Sequence, residues 1–143
     1  MQSTIIDLTV SQPPERPNLR GLVARLHISR GPTSQIAEIY ARPLEAMDWM
    51  EFESGTELKD SVPQPVSFAR AHVLLELLSA ATLPPLVSSI SFGLHGTTYR
   101  LKVYSPGSSC EYFWVQEPPT EWKALGEAAR ELQLLADEVL SAA

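Results

Sequence analysis

The chain has 143 residues, 44% of them apolar and 20% charged, enough for one domain spanning residues 1–143 that buries roughly two-thirds of its unfolded surface. Seventeen acids against eleven bases leave a net charge of −6, which opposes the phosphate electrostatics on which nucleic-acid binding depends. No apolar run approaches the roughly 20 residues needed to cross a bilayer, and no membrane association is expected.

Met1-Gln2-Ser3-Thr4 has no basic region, and Asp7 interrupts the apolar residues that follow, so no secretory signal is expected. The single cysteine, Cys110, excludes an internal disulfide and a cysteine-built metal site. Both features fit a reducing, cytoplasmic setting.

Thr4 to Val10 alternates, with Ile6, Leu8 and Val10 on one side and Ile5, Asp7 and Thr9 on the other, and predicts a strand. Ser11 to Arg20 holds three of the twelve prolines and reads as a surface loop. Leu22 to Ser29 predicts a second strand with Leu22, Ala24, Leu26 and Ile28 inward. Arg30-Gly31-Pro32-Thr33 turns the chain, and Gln35 to Ala41 reads as a returning strand, although Ile36, Ile39 and Tyr40 would also fit a helix; Pro43 is expected to stop either one.

Leu44 to Asp60 differs in kind. Six acids (Glu45, Asp48, Glu51, Glu53, Glu57 and Asp60) face one base, Lys59, and Met47, Trp49, Met50 and Phe52 lie among them. A short helix or irregular segment is expected over Leu44–Phe52, then a loop from Ser54 to Pro65. Phe68, Ala71, Leu74, Leu75, Leu78 and Ala81 then mark a helix over Val66–Ala81, ended by Thr82-Leu83-Pro84-Pro85.

The remainder reads as a hairpin, a third strand and a long helix. Ser89–Leu94 and Thr97–Val103 alternate around His95-Gly96, a two-residue turn in which glycine accepts positive φ. That register sets Phe92 against Tyr99 and Ile90 against Leu101. Ser105–Ser109 is turn chemistry, and Cys110 to Val115 is a strand. A five-residue loop closed by Tyr104 and Cys110 would put Phe113 and Val115 in the core and Tyr112 and Trp114 outside, beside Lys102 and Arg100. A four-residue loop would reverse the faces and bury Trp114 next to Tyr99; the five-residue loop is preferred because it keeps the Tyr112 hydroxyl out of the core. Pro118-Pro119 opens a helix over Pro119–Leu140 with the stripe Trp122, Leu125, Ala129, Leu132, Leu135, Ala136 and Val139. Trp122 is expected to bury against Phe92, Tyr99 and Leu101. The predicted architecture is α+β: an antiparallel sheet of about five to six strands with two helices packed on one face.

Little here reads as chemistry. His27, His72 and His95 have no metal-ligand neighbour at the right spacing and read as surface or boundary histidines. Cys110 reads as a partly buried structural thiol. There is no phosphate loop, nucleophile elbow or paired-carboxylate motif, so neither catalysis, metal nor cofactor is expected. The best binding candidate is Glu45, Asp48, Trp49, Met50, Glu51, Phe52 and Glu53, where carboxylates could steer a basic protein partner and the apolar side chains could anchor it. The alternative is that the apolar members belong to the core and the acids are its wet side. Arg100, Lys102, Tyr112 and Trp114 form a secondary candidate surface.

Gly96-Thr97-Thr98-Tyr99-Arg100-Leu101, the strand ending in Trp114, and Pro118-Pro119-Thr120-Glu121-Trp122-Lys123-Ala124-Leu125 resemble the C-terminal half of small uncharacterised bacterial proteins. Some of these are similar to the immunity proteins of polymorphic toxin systems, acidic single domains that plug a toxin's active site. The resemblance covers about the last 55 residues of the chain. It implies a non-catalytic inhibitor of a toxin or effector domain. A small-ligand or adaptor/chaperone module, with a pocket between the sheet and the Trp122 helix, is the alternative. A small enzyme would instead show a histidine meeting a carboxylate or Cys110 in one cleft.

Overall fold

The computed structural model describes residues 2–11, 21–44, 62–80 and 97–142. Strands β1 (Gln2–Ser11), β2 (Gly21–Arg30), β3 (Gln35–Leu44), β4 (Gln64–Pro65), β5 (Thr98–Ser105) and β6 (Ser108–Val115) form one antiparallel sheet in the order β4-β3-β2-β1-β5-β6. Helix α1 (Phe68–Ala80) and helix α2 (Lys123–Ala142), the latter entered through a 3-10 turn at Thr120–Trp122, complete the α+β architecture.

Alternation decides which face is covered. Ile6, Leu8 and Val10 of β1, Leu22, Ala24, Leu26 and Ile28 of β2, Ile39 of β3 and Leu101 of β5 are all buried on one side. Against them lie Ala71 and Leu74 of α1 and Leu125, Ala128, Ala129, Leu132, Leu135 and Ala136 of α2, in one continuous cluster. The α2 stripe recurs at the three- and four-residue spacing that a core-facing helix requires. Where small residues stand on both layers, Ala24 on the sheet and Ala128, Ala129 and Ala136 on α2, the backbones can approach closely. An ion pair between Arg70 and Glu138 ties α1 to the end of α2.

The hairpin β2–β3 closes as its sequence indicates: Arg30 pairs with Gln35, and the Gly31 N–H donates to the Ser34 carbonyl at 2.8 Å. Pro43, however, does not stop β3. It pairs with Leu22 and the strand runs on to Leu44. Among the described residues β4 pairs with the far edge of β3 only at Glu38 and Ile39, which leaves Pro43 beyond it, where a missing N–H costs no ladder bond of the described sheet.

The largest departure concerns β5. Its expected neighbour, Ser89–Leu94, lies outside the described residues, but the pairings of Phe92 with Tyr99 and of Ile90 with Leu101 are ruled out by β5 itself. One edge pairs with β1 from Tyr104–Ile5 to Thr98–Ser11, and the other pairs with β6 over its whole length. A strand has two edges, and both are taken.

Candidate functional site

The β5–β6 turn settles the faces of the aromatic strand. Ser105 pairs with Ser108 across a two-residue Pro106-Gly107 turn, with Gly107 at φ 82°. Proline followed by glycine at positive φ is the sequence of a type II turn. The loop between Tyr104 and Ser109 therefore has four residues, not the five expected between Tyr104 and Cys110, and every side chain of β6 changes face. Trp114 is 5% exposed and stacks on Tyr99 at 5.6 Å between ring centroids and 15° between planes. Phe113 is 53% exposed.

The secondary surface of Arg100, Lys102, Tyr112 and Trp114 is thereby divided. Arg100 and Lys102 stay on the outer face, where both reach Glu111, at 3.1 and 3.6 Å. Tyr112 and Trp114 turn inward. Trp122 is half-buried, packs against the core cluster that contains Leu101 and meets Tyr112 edge-on at 5.6 Å; Phe92, also expected beneath it, lies outside the described residues. Burial raises the Tyr112 phenol above its ordinary pKa, and the neighbouring Cys110 adds to that shift. Cys110 is exposed, not the partly buried thiol expected.

On the outer face the register aligns Tyr40, Arg25, Asp7, Lys102 and Glu111 in one row across five strands. Arg25 clamps Asp7 with two hydrogen bonds, Nε to Oδ1 at 2.7 Å and a terminal nitrogen to Oδ2 at 2.8 Å. The Asp7 hydrogen bonds raise the pKa of Arg25. A parallel two-pronged pair of this kind holds its geometry better than a single contact.

A cleft of about 420 Å³ opens where β6 hands over to α2. Gln116 turns the chain at φ 64°, a conformation uncommon for a residue with a side chain. Its N–H still donates to Thr97 at 2.7 Å, and the next N–H, from Glu117, reaches Val115 at 2.8 Å. Pro118 and Pro119 then form one wall and α2 the other. Trp114 and Tyr99 line the floor, and Lys123, Glu127, Arg130 and Gln133 form a stripe along the α2 rim. This is the pocket position that a small-ligand module requires, but its rim mixes both charge signs.

Gly126 sets the width of this cleft. A Cβ at that position would lie 2.6 Å from Cγ of Pro118, inside contact distance of a rigid ring. Alanine normally gains about 0.8–1.0 kcal/mol over glycine inside a helix. Here Gly126→Ala is expected to destabilise by about 1–3 kcal/mol instead, as overpacking does. Urea unfolding measures the sign; a raised midpoint would mean that Pro118 yields freely. Sequence reading passed over Gly126, although a glycine inside an amphipathic helix is itself a sign of close packing.

A second cleft, about 310 Å³, lies between α1 and the ends of β1 and β2. His72 Nε2 meets Glu76 at 3.0 Å there, and Arg30 lies over the Phe68 ring at 5.4 Å. A histidine and a carboxylate do meet in one cleft, which is the sign set for an enzyme. Both are largely exposed, 48% and 67%, as an i,i+4 pair on one helix face. Ser79 also lines the cleft but stands seven residues beyond His72, about 10 Å along the helix axis, out of reach of a serine–histidine couple.

Among the described residues no group of three or more histidine, cysteine, aspartate or glutamate side chains is placed to hold a metal ion, and no helix is long and apolar enough to cross a membrane. The leading sequence candidates, Glu45, Asp48, Trp49, Met50, Glu51, Phe52 and Glu53, and also His95, lie outside the described residues. No family model matches this chain, and no curated protein or solved structure matches it.

Proposed function

We propose that this chain is a non-catalytic binding protein, an acidic inhibitor of the immunity type that neutralises a basic toxin or effector domain by direct contact. One observation carries the reading: residues 44–60 hold six acids and one base, with Trp49, Met50 and Phe52 among them, while the whole chain is −6. The described residues add little to that field, because their ten acids and eight bases nearly cancel. Concentrated charge steers a partner of opposite sign, and interleaved aromatic side chains supply desolvated anchors. The proposal sets this activity in the cytoplasm, where an exposed thiol such as Cys110 stays reduced.

The test is kinetic, with the purified product of the adjacent reading frame as the partner. Reversing charge at Asp48 and Glu51 is expected to slow association about tenfold or more at low salt and to flatten its salt dependence. Trp49→Ala is expected to speed dissociation while leaving the melting curve in place. Affinity that ignores all of these acids, or a Trp49→Ala chain that unfolds, would overturn the reading.

A second reading, a small-ligand module, is favoured by one geometric observation. The Gly126 cleft combines an aromatic floor, a residue at positive φ and four polar side chains on one helix stripe. Backbone outliers of this kind cluster at binding sites. This reading takes first place if the charge reversals have no effect.

A further inference from the structure

We propose that β6 is an interface through which two copies of this chain pair edge to edge, antiparallel, about a twofold axis beside Tyr112. The sheet treats its two ends differently. The β4 end is a two-residue strand flanked by Pro63 and ending in Pro65, with Pro43 beyond it on the neighbouring edge of β3. Proline and brevity are the usual means of blunting an edge. At the other end β6 runs for eight residues with no proline, no lysine and no arginine, and among the described residues nothing pairs with its outer edge.

The direction of its hydrogen bonds follows from one contact. The Gln116 N–H donates to the Thr97 carbonyl, directly across the β5–β6 register. Antiparallel ladders alternate, so Tyr112 and Trp114 also bond to β5, while Ser109, Glu111, Phe113 and Val115 present their backbone groups outward. A second copy brings the same outward set. With the axis beside Tyr112, Glu111 of one copy stands opposite Phe113 of the other, twice over. The strand's one formal charge then never meets its own copy, as it would with the axis at Glu111.

This pairing also closes. Among the described residues each copy has one receptive edge, so joining two consumes both and leaves the proline-guarded β4 ends outermost; an isologous dimer forms, not a fibre. The exposed Phe113 rings gain cover on the outer face. A foreign strand would find the same backbone groups, but a second copy offers an identical edge whose outward residues match this one position for position about the axis.

Light scattering with size-exclusion chromatography is expected to give the mass of two 15.8 kDa chains. Phe113→Pro removes an outward N–H and the exposed ring without taking a backbone bond from β5, and is expected to weaken self-association by about tenfold or more. Phe113→Lys reaches the same end without changing the backbone, and decides the matter if the proline variant fails to fold. A spin label on Cys110, the chain's one cysteine, reads the register, because the proposed axis sets the two Cα atoms about 14 Å apart. Dipolar broadening that Phe113→Lys abolishes supports the pairing. A monomeric wild type, a dimer that survives Phe113→Lys, or labels that do not sense one another would overturn it.

Discussion

Trp114→Ala is expected to destabilise the fold by about 3–5 kcal/mol, the range for large aromatic truncations in cores. The indole is 5% exposed, belongs to the continuous core cluster and stacks on Tyr99. Its removal empties the end of the sheet next to the Gly126 cleft and strips Tyr99 of its partner. The same truncation at Trp122, half-buried and held edge-on by Tyr112, is expected to cost about half as much. Urea midpoints of the two variants compare them directly. In a chain whose other tryptophans are replaced by phenylalanine, Trp114 fluorescence should resist acrylamide. Free quenching, or the reverse order of the two midpoints, would return β6 to the five-residue loop register.

The second large effect lies on the outer face. Asp7 is 8% exposed although its strand position faces away from the helices, and Arg25 supplies both of its short side-chain hydrogen bonds. Arg25→Met keeps most of the side-chain length but leaves a largely buried carboxylate without that clamp. Breaking one side of a buried pair costs about 3–5 kcal/mol; the Arg25 side chain is 25% exposed, so about 2–3 kcal/mol is expected here. Lys102, directly across from Asp7 on β5, supplies part of the lost field. Replacing both partners, Asp7→Leu with Arg25→Met, should recover most of the loss, since the pair as a whole is worth far less than its breakage costs. A double variant no more stable than Arg25→Met alone would show that Asp7 has a second anchor.

The two expectations rest on different amounts of sequence information. Asp7 was legible as an outward position from the alternation of Ile6, Leu8 and Val10, but nothing local pairs it with Arg25, eighteen residues away. Trp114 was harder. Its face depended on whether the turn after Tyr104 held four residues or five, and a preference for keeping a tyrosine hydroxyl out of the core pointed the wrong way. Pro106-Gly107 was the stronger signal, because its backbone preferences act before any packing does. Of the proposed binding residues, Arg100 and Lys102 were placed on the correct face. Tyr112 and Trp114 were not, for the same one-residue reason.

By itself the sequence determined most elements and their faces: the alternating strands β1 and β2, the β5 set of Tyr99, Leu101 and Val103, and the apolar stripes of α1 and α2; for β3 it left a helix open. Periodicity is local, and a strand's inward residues stay inward whichever strand lies beside it. Only the tertiary structure decided which strands are neighbours. The alternation of β5 would suit a local hairpin with Ser89–Leu94 equally well. It pairs instead with β1, more than ninety residues away at Ile6 and Val103, because only that sheet order lays Leu101 beside Leu8 under the helices. Strand order is set by the burial that all the elements achieve together, and no single stretch of the chain records it.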